Sequence, residues 1–278
     1  MRALIILLLI GGIAAVPALA QADDTVSLSQ TPAAVQKTIQ SQAGGGRMGE
    51  ITKETDGGGT VYDVGLTAKD GSDRDFSVAQ DGTLLSVEVE LGETPAAVQK
   101  TIQTELNGGS LDSIDKNLDD TDLSYDISGT DKNGKGRDFT VDDDGTLASV
   151  GVDLSQTPDA VQTAITAQLN GGKVESIDEE IDDETNFDVT MTKSDGGKTG
   201  FTVATDGKLT SKEVELADVP GRARKTMEDR IGDGAILRVD KSYEKRDNIL
   251  PFEVEGRKDG KPFDFFVGPR GRFLGMDD

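Results

Sequence analysis

Two hydrophobic periods alternate along this chain. Val98, Ile102 and Leu106 are spaced by four, as are Val161, Ile165 and Leu169, and Ala223, Met227 and Ile231. That spacing puts one apolar stripe on an α-helix. Behind each stripe the period drops to two. Tyr62 and Val64, Tyr125 and Ile127, Phe187 and Val189, and Phe252 and Val254 alternate with polar residues. Phe76 and Val78, Phe139 and Val141, Phe201 and Val203, and Phe265 and Val267 do the same. Such alternation marks strands with one buried face. A strand centred on Ile51, Ile114, Ile177 or Val239 precedes these two, and one holding Leu84, Leu147, Leu209 or Phe273 follows. Each helix is thus followed by four short predicted strands.

The pattern is a repeat. Thr31-Pro32-Ala33-Ala34-Val35-Gln36 returns as Thr94-Pro95-Ala96-Ala97-Val98-Gln99, then as Thr157-Pro158-Asp159-Ala160-Val161-Gln162, and in degraded form at Val219-Pro220. The prolines at 32, 95, 158 and 220 fix steps of 63, 63 and 62 residues. The threonines suit a helix N-cap and the prolines the first helical position. Gly108-Gly109 and Gly171-Gly172 suit left-handed helix ends. Asp70-Gly71, Asn133-Gly134, Asp195-Gly196 and Asp259-Gly260 predict type I′ hairpins between the second and third strands. Asp81-Gly82, Asp144-Gly145 and Asp206-Gly207 do so between the third and fourth.

These signals predict an α+β fold of four tandem small modules, each one helix packed on a four-stranded antiparallel meander. The modules are placed at residues 21–91, 92–154, 155–216 and 217–278. A unit of ~60 residues buries little of its surface alone. No Gly/Ser linker separates the copies, so neighbours are expected to pack, as two pairs.

Composition narrows the function. Residues 1–20 carry Arg2, an apolar run and Ala18-Leu19-Ala20. That is the layout of a cleaved secretory signal peptide. It predicts a periplasmic or extracellular protein with no membrane insertion after cleavage. The chain has no His and no Cys, which excludes a histidine base, a thiolate nucleophile and the usual zinc sites. The formal net charge is −23. Residues 217–278 hold 13 basic and 13 acidic residues, so the excess lies before them. A surface this acidic excludes nucleic acid as a partner and keeps an exported protein soluble.

The order of Thr-Pro helix, glycine stop, Ile-centred strand, Tyr-x-Val, Asp-Gly, Phe-x-Val and Asp-Gly-x-Leu resembles the PepSY-like modules. Within them it is similar to the group related to the β-lactamase-inhibitor protein. The resemblance spans residues 26–278. It implies a small exported α+β unit, often in tandem, without catalysis of its own, some members of which bind or restrain peptidases. No inhibitory contact motif of the family has a counterpart in this sequence.

Asp142-Asp143-Asp144-Gly145 has a glycine where an EF-hand loop needs one, but the first and twelfth places fall on Thr140 and Gly151, which cannot supply the carboxylates. Asp119-Asp120 with Asp122, and Glu179-Glu180 with Asp182, Asp183 and Glu184, could hold calcium weakly, but the first and fourth copies lack the run and a solvated turn is the better reading. No catalytic residue, cofactor or firm metal site is expected. The fourth copy stands apart, with five of the nine phenylalanines. Phe263, Phe265 and Val267 alternate onto one face, so Phe266 points to the other. Its helix bears Arg222, Arg224 and Arg230. Aromatic and Arg side chains dominate interface hot spots, so Phe266, Phe263, Arg222, Arg224 and Arg230 are the candidate partner-binding residues. The alternative is a terminal cap. The expected function is a non-catalytic protein-binding array that restrains another exported protein such as a peptidase. The rival is an acidic envelope structural or stress protein with weak calcium binding.

Overall fold

The computed structural model describes residues 24–56, 59–118, 123–181, 185–232, 234–258 and 261–276. Residues 1–20, read above as an export signal, lie outside them. The first repeat supplies β1 (Asp24–Thr25), α1 (Ala33–Ala43), β2 (Arg47–Asp56), β3 (Gly59–Thr67), β4 (Phe76–Ala79) and β5 (Leu84–Glu88). The second supplies α2 (Ala96–Leu106), β6 (Ser110–Asn117), β7 (Ser124–Thr130), β8 (Gly136–Asp142) and β9 (Leu147–Gly151). In the third are α3 (Asp159–Leu169), β10 (Lys173–Glu180), β11 (Asn186–Thr192), β12 (Lys198–Ala204) and β13 (Leu209–Glu213). The fourth holds α4 (Gly221–Ile231), β14 (Ala235–Ser242), β15 (Phe252–Lys258), β16 (Lys261–Val267) and β17 (Phe273–Met276).

These elements do not make four helix-plus-meander modules. All 17 strands belong to one sheet, and the last strand of each repeat pairs with the first strand of the next. Ser86, Val87 and Glu88 of β5 face Asn117, Lys116 and Asp115 of β6. The β9–β10 and β13–β14 seams repeat that register. The molecule is a continuous antiparallel meander, mostly sheet, with four short helices on it. The physical reason is the edge. A separate four-stranded unit would leave a row of unpaired N–H and C=O groups on its last strand. The short crossover and the helix return the chain to the same place, so the next strand lands beside the last and closes that edge.

The sheet also curls. Each repeat has a β-bulge in its first strand, such as Leu111/Ser113 and Val174/Ser176, and another between its third and fourth, such as Thr140/Val141. Bulges sharpen the local twist, and the accumulated bend brings β14 near β3. The helices lie on one face. Beneath each is its own apolar core: Val98, Ile102, Leu106, Ile114, Ile127, Phe139 and Val141 in the second repeat, with equivalent sets in the others.

Local chemistry differs from the sequence reading at two places. Thr31, Thr94 and Thr157 do not cap the α-helices; the N-cap positions are Pro32, Pro95 and Pro158. Each threonine hydroxyl instead donates to the carbonyl of Leu28, Leu91 or Leu154 in the 3-10 turn before the helix. Gln36, Gln99 and Gln162 donate back to the threonine carbonyls at 2.8 Å. The Asp-Gly turns are not type I′ either. Gly71, Gly134 and Gly196 have positive φ, whereas the residue before each does not. Gly71 N–H donates to Ala68 O and Ala68 N–H to Ser72 O, the pattern of a type I turn followed by a glycine bulge. The two-residue loop with both φ positive is Asp247-Asn248, at 54° and 61°. Asp259-Gly260 lies outside the described residues.

Candidate functional site

Along a strand, side chains alternate between faces, so every residue beside a core residue points to the helix-free side of the sheet. On that side the repeats align a cross-strand rung. It reads Thr52–Asp63–Ser77–Ser86 in the first repeat and Asp115–Asp126–Thr140–Ser149 in the second. In the third it is Asp178–Asp188–Thr202–Ser211, and in the fourth Asp240–Glu253–Phe266–Gly275. Because the sheet curls, this face is lined rather than solvated. Ser77, Ser86, Asp115, Asn117, Thr140, Ser149, Asp178, Asp240, Glu255 and Arg257 are all buried. The helix face is an apolar core; the other face is a polar, acidic interior.

In the second repeat the acids have hydroxyl and amide partners. Asn117 Nδ2 donates to Asp126 Oδ2 at 3.0 Å and Thr140 Oγ1 donates to Asp126 Oδ1 at 2.7 Å. Burial raises Asp126, against the pull of those two donors. Asp115 is pushed up to about 7, first by burial and then by the carboxylates of Glu88, Asp126 and Asp75. In the third repeat burial pushes Asp178 up to about 6, opposed by the Ser176 hydroxyl and reinforced by Asp188, Asp126 and Asp138. Asp126 lies three strands away from Asp178, so its influence is a direct consequence of the curl. Neither Ser176 Oγ nor Asp178 Oδ2 completes a hydrogen bond of good geometry among the described residues. Asp178, Asp188, Thr190, Thr202 and Arg238 line a cavity of about 40 Å³.

The fourth repeat solves the same problem with a base. Arg238 Nε lies 2.7 Å from Asp240 Oδ2, and its Nη2 donates to Oδ1 at 3.0 Å. Burial works against the Arg238 charge, but Asp240, Glu255 and Glu213 together hold it above its ordinary value. Glu255 is pushed up to about 8 by burial, with Arg238 opposing and Asp240, Asp264 and Glu253 adding to the rise. The guanidinium passes over Gly200, where an added Cβ would sit 3.1 Å from Nη2.

A second feature lies at one end of the sheet. The hairpins β6–β7, β10–β11 and β14–β15 all turn there. Leu123, Ile181, Tyr243 and Leu250 stand beside those turns at 38%, 44%, 39% and 40% exposure. Ile181 and Tyr243 are held at equivalent places, their N–H groups donating to Ala148 O and Thr210 O at 2.8 Å. Leu118 makes the matching bond to Leu85 O and is half-buried.

The five residues singled out from sequence are not brought together. Phe263 packs in the helix-side core, its ring 5.1 Å from that of Phe265. Phe266 is on the opposite face, buried, with the Arg246 guanidinium 4.0 Å from its ring centroid. Arg222, Arg224 and Arg230 are on α4, on the helix side. Arg230 stacks 3.6 Å over Phe273, and Arg224 lies 3.9 Å from Glu228. Arg222 is exposed, its carbonyl accepting the Thr226 hydroxyl at 3.1 Å. The sheet therefore separates Phe266 from the three arginines. Arg246, which covers Phe266, is a partner that sequence reasoning missed. The carboxyl rung was missed as well, although Ile114-Asp115, Ile177-Asp178 and Val239-Asp240 repeat it in plain view.

Residues 119–122 and 182–184, weighed above for calcium, lie outside the described residues. Among the described residues no group of three or more Asp or Glu is arranged to hold a metal ion. No described helix is long and apolar enough to cross a membrane.

No protein-family profile matches the chain, and no curated protein matches it. Solved structures do. A protein of unknown function from Bacteroides vulgatus, assigned to the periplasm, is 18% identical and aligns over 47% of this chain and 99% of its own, with a TM-score of 0.29. A protein from Bacteroides thetaiotaomicron, assigned as calcium-regulated and periplasmic, is 15% identical over 47% of this chain and 97% of its own, at 0.28. A BLIP-like protein from Bacteroides fragilis is 17% identical over 46% of this chain and 90% of its own, at 0.32.

Proposed function

We propose that this is an exported, non-catalytic protein that binds another exported protein, such as a peptidase, through the apolar rim of its sheet. Export rests on the leader-like residues 1–20. The observation that carries the binding reading is the row of Leu123, Ile181, Tyr243 and Leu250, all more than a third exposed at one end of the sheet. Single exposed apolar side chains are ordinary, but four of them beside the same-end turns of three repeats are what a contact surface needs. Equivalent positions in successive repeats are four strands apart, about 19 Å along the sheet, so a partner meeting two of them spans a standard-sized interface. Tyr243 and Leu250 support a contact that includes the fourth repeat.

Crosslinking mass spectrometry on the native envelope tests the reading, with wild type beside an Ile181→Ser/Tyr243→Ser/Leu250→Ser variant. Crosslinks from one exported protein to the rim, lost in the variant, are the expected result. Crosslinks mapping to Arg222, Arg224 and Arg230 on α4, unaffected by the variant, would move the contact to the helix face and reject the rim.

A further inference from the structure

Asp115 and Asp126 face each other directly across β6–β7, and Glu88 faces Asp115 across the β5–β6 seam. Three carboxyls thus stand side by side on adjacent strands, on the enclosed face of the sheet. Like charges directly opposite one another destabilise an antiparallel pair, and burial removes the water that would screen them.

Among the described residues no base acts on Asp115 or Asp126. From β4 and the loop before it come Asp73, Arg74 and Asp75; Arg74 is the cation acting on Glu88, whose carboxyl burial nonetheless raises. Asp75 N–H donates to Glu88 Oε2 at 3.2 Å. On β6 itself Asn117 is an amide, and its one Nδ2 is divided between Ser124 Oγ and Asp126 Oδ2. β8 offers the Thr140 hydroxyl to Asp126, and its Asp138, with Asp178 of β10, adds further acid around the curl. In the fourth repeat Asp240, which stands where Asp115 does, has Arg238; in the second, Asp126 has the neutral Asn117 and Thr140 donors.

We propose that Asp115 keeps a proton in the folded protein beside the Asp126 carboxylate, and that this proton clasps the seam between the first two repeats. With the proton in place the pair carries one negative charge, which the Asn117 and Thr140 donors satisfy. When it passes to solvent as the pH rises, two carboxylates repel across β6–β7 and Glu88 adds a third charge across β5–β6. The seam then loosens. The direction of the shifts agrees: Asp115 and Asp126 are both raised, so the folded chain holds a proton that the unfolded chain has already released.

Carbon-13 NMR titration of the aspartate carboxyls in the full chain, paired with urea unfolding at pH 5 and pH 8, tests the clasp. In wild type one aspartate carboxyl should titrate near pH 7, about three units above the ordinary value, and the urea midpoint should fall between pH 5 and pH 8. Asp115→Asn should abolish that titration, lower the Asp126 midpoint and flatten the fall in stability. Asp126→Asn should give the same flattening from the other partner, which keeps the test sound if one variant folds poorly. Ordinary midpoints for all aspartates in folded wild type would overturn the proposal. So would an unchanged high midpoint in Asp115→Asn.

Discussion

The second and fourth repeats both hold acids on the inner face of one sheet and keep them there by different means. In the second, Asp115 and Asp126 depend on Asn117, Thr140 and raised proton affinity. In the fourth, Asp240 and Glu255 flank the half-buried cation Arg238. A guanidinium stays charged at every accessible pH, whereas a carboxyl proton is lost on going alkaline. The acidic interior therefore has a fixed cation at its C-terminal end and relies on carboxyl protons in its middle. The fourth repeat diverges elsewhere on the same rung too: where the second has Thr140 to feed Asp126, the fourth has Phe266, roofed by Arg246.

The comparison breaks most severely at Arg238. Replacing it with Met leaves Asp240 and Glu255 without their base. Removing one partner of a fully buried pair costs about 3–5 kcal/mol. Because about a third of the Arg238 side chain reaches solvent, we expect a loss of about 2–3 kcal/mol at pH 8, read from urea unfolding. The loss should shrink at pH 5. Glu255 is raised to about 8, so acidification neutralises the charge left behind, and stability held by a raised carboxyl is present at low pH and lost through its folded value. An equal loss at both pH values would detach Arg238 from those acids.

Thr140→Val probes the other solution at a smaller scale. Its methyl replaces the hydroxyl that donates to Asp126 at 2.7 Å, and a hydrogen bond to a charged group is worth about 1.5–3 kcal/mol. We expect a cost of about 1–2 kcal/mol at pH 8 and less at pH 5. Arg246→Ala should have the smallest effect, below about 1 kcal/mol, while exposing Phe266. A larger drop would mean that Arg246 does more than cover that ring.

Much of this molecule is readable in the chain. The Pro32, Pro95, Pro158 and Pro220 steps mark four helices, and the Tyr-x-Val and Phe-x-Val pairs mark strands. The assembly is not readable there, because alternation reports which positions are apolar and not what the polar positions face. Asp115 and Asp178 look like solvent-side residues of a two-layer module; in the curled sheet that side is an interior. The seams escape for a related reason. The β5–β6 pairing of Val87 with Lys116 and Glu88 with Asp115 carries no hydrophobic signature, being driven by backbone groups at an edge. Turn type was misread because Asp-Gly suggests two positive φ angles where one suffices, while the true two-residue loop at Asp247-Asn248 has no glycine to announce it.

Backbone hydrogen exchange at the seams tests the continuous sheet most directly. Val89, Val152 and Val214 donate N–H to Ile114, Ile177 and Val239 across the three junctions, at 2.8 to 2.9 Å. At pH 5, where Asp115, Asp178 and Glu255 hold their protons, these amides should be protected to the same order as Ile127 or Val189 in mid-sheet. Exchange at the rate of exposed turns, with protection confined within each repeat, would contradict a single sheet.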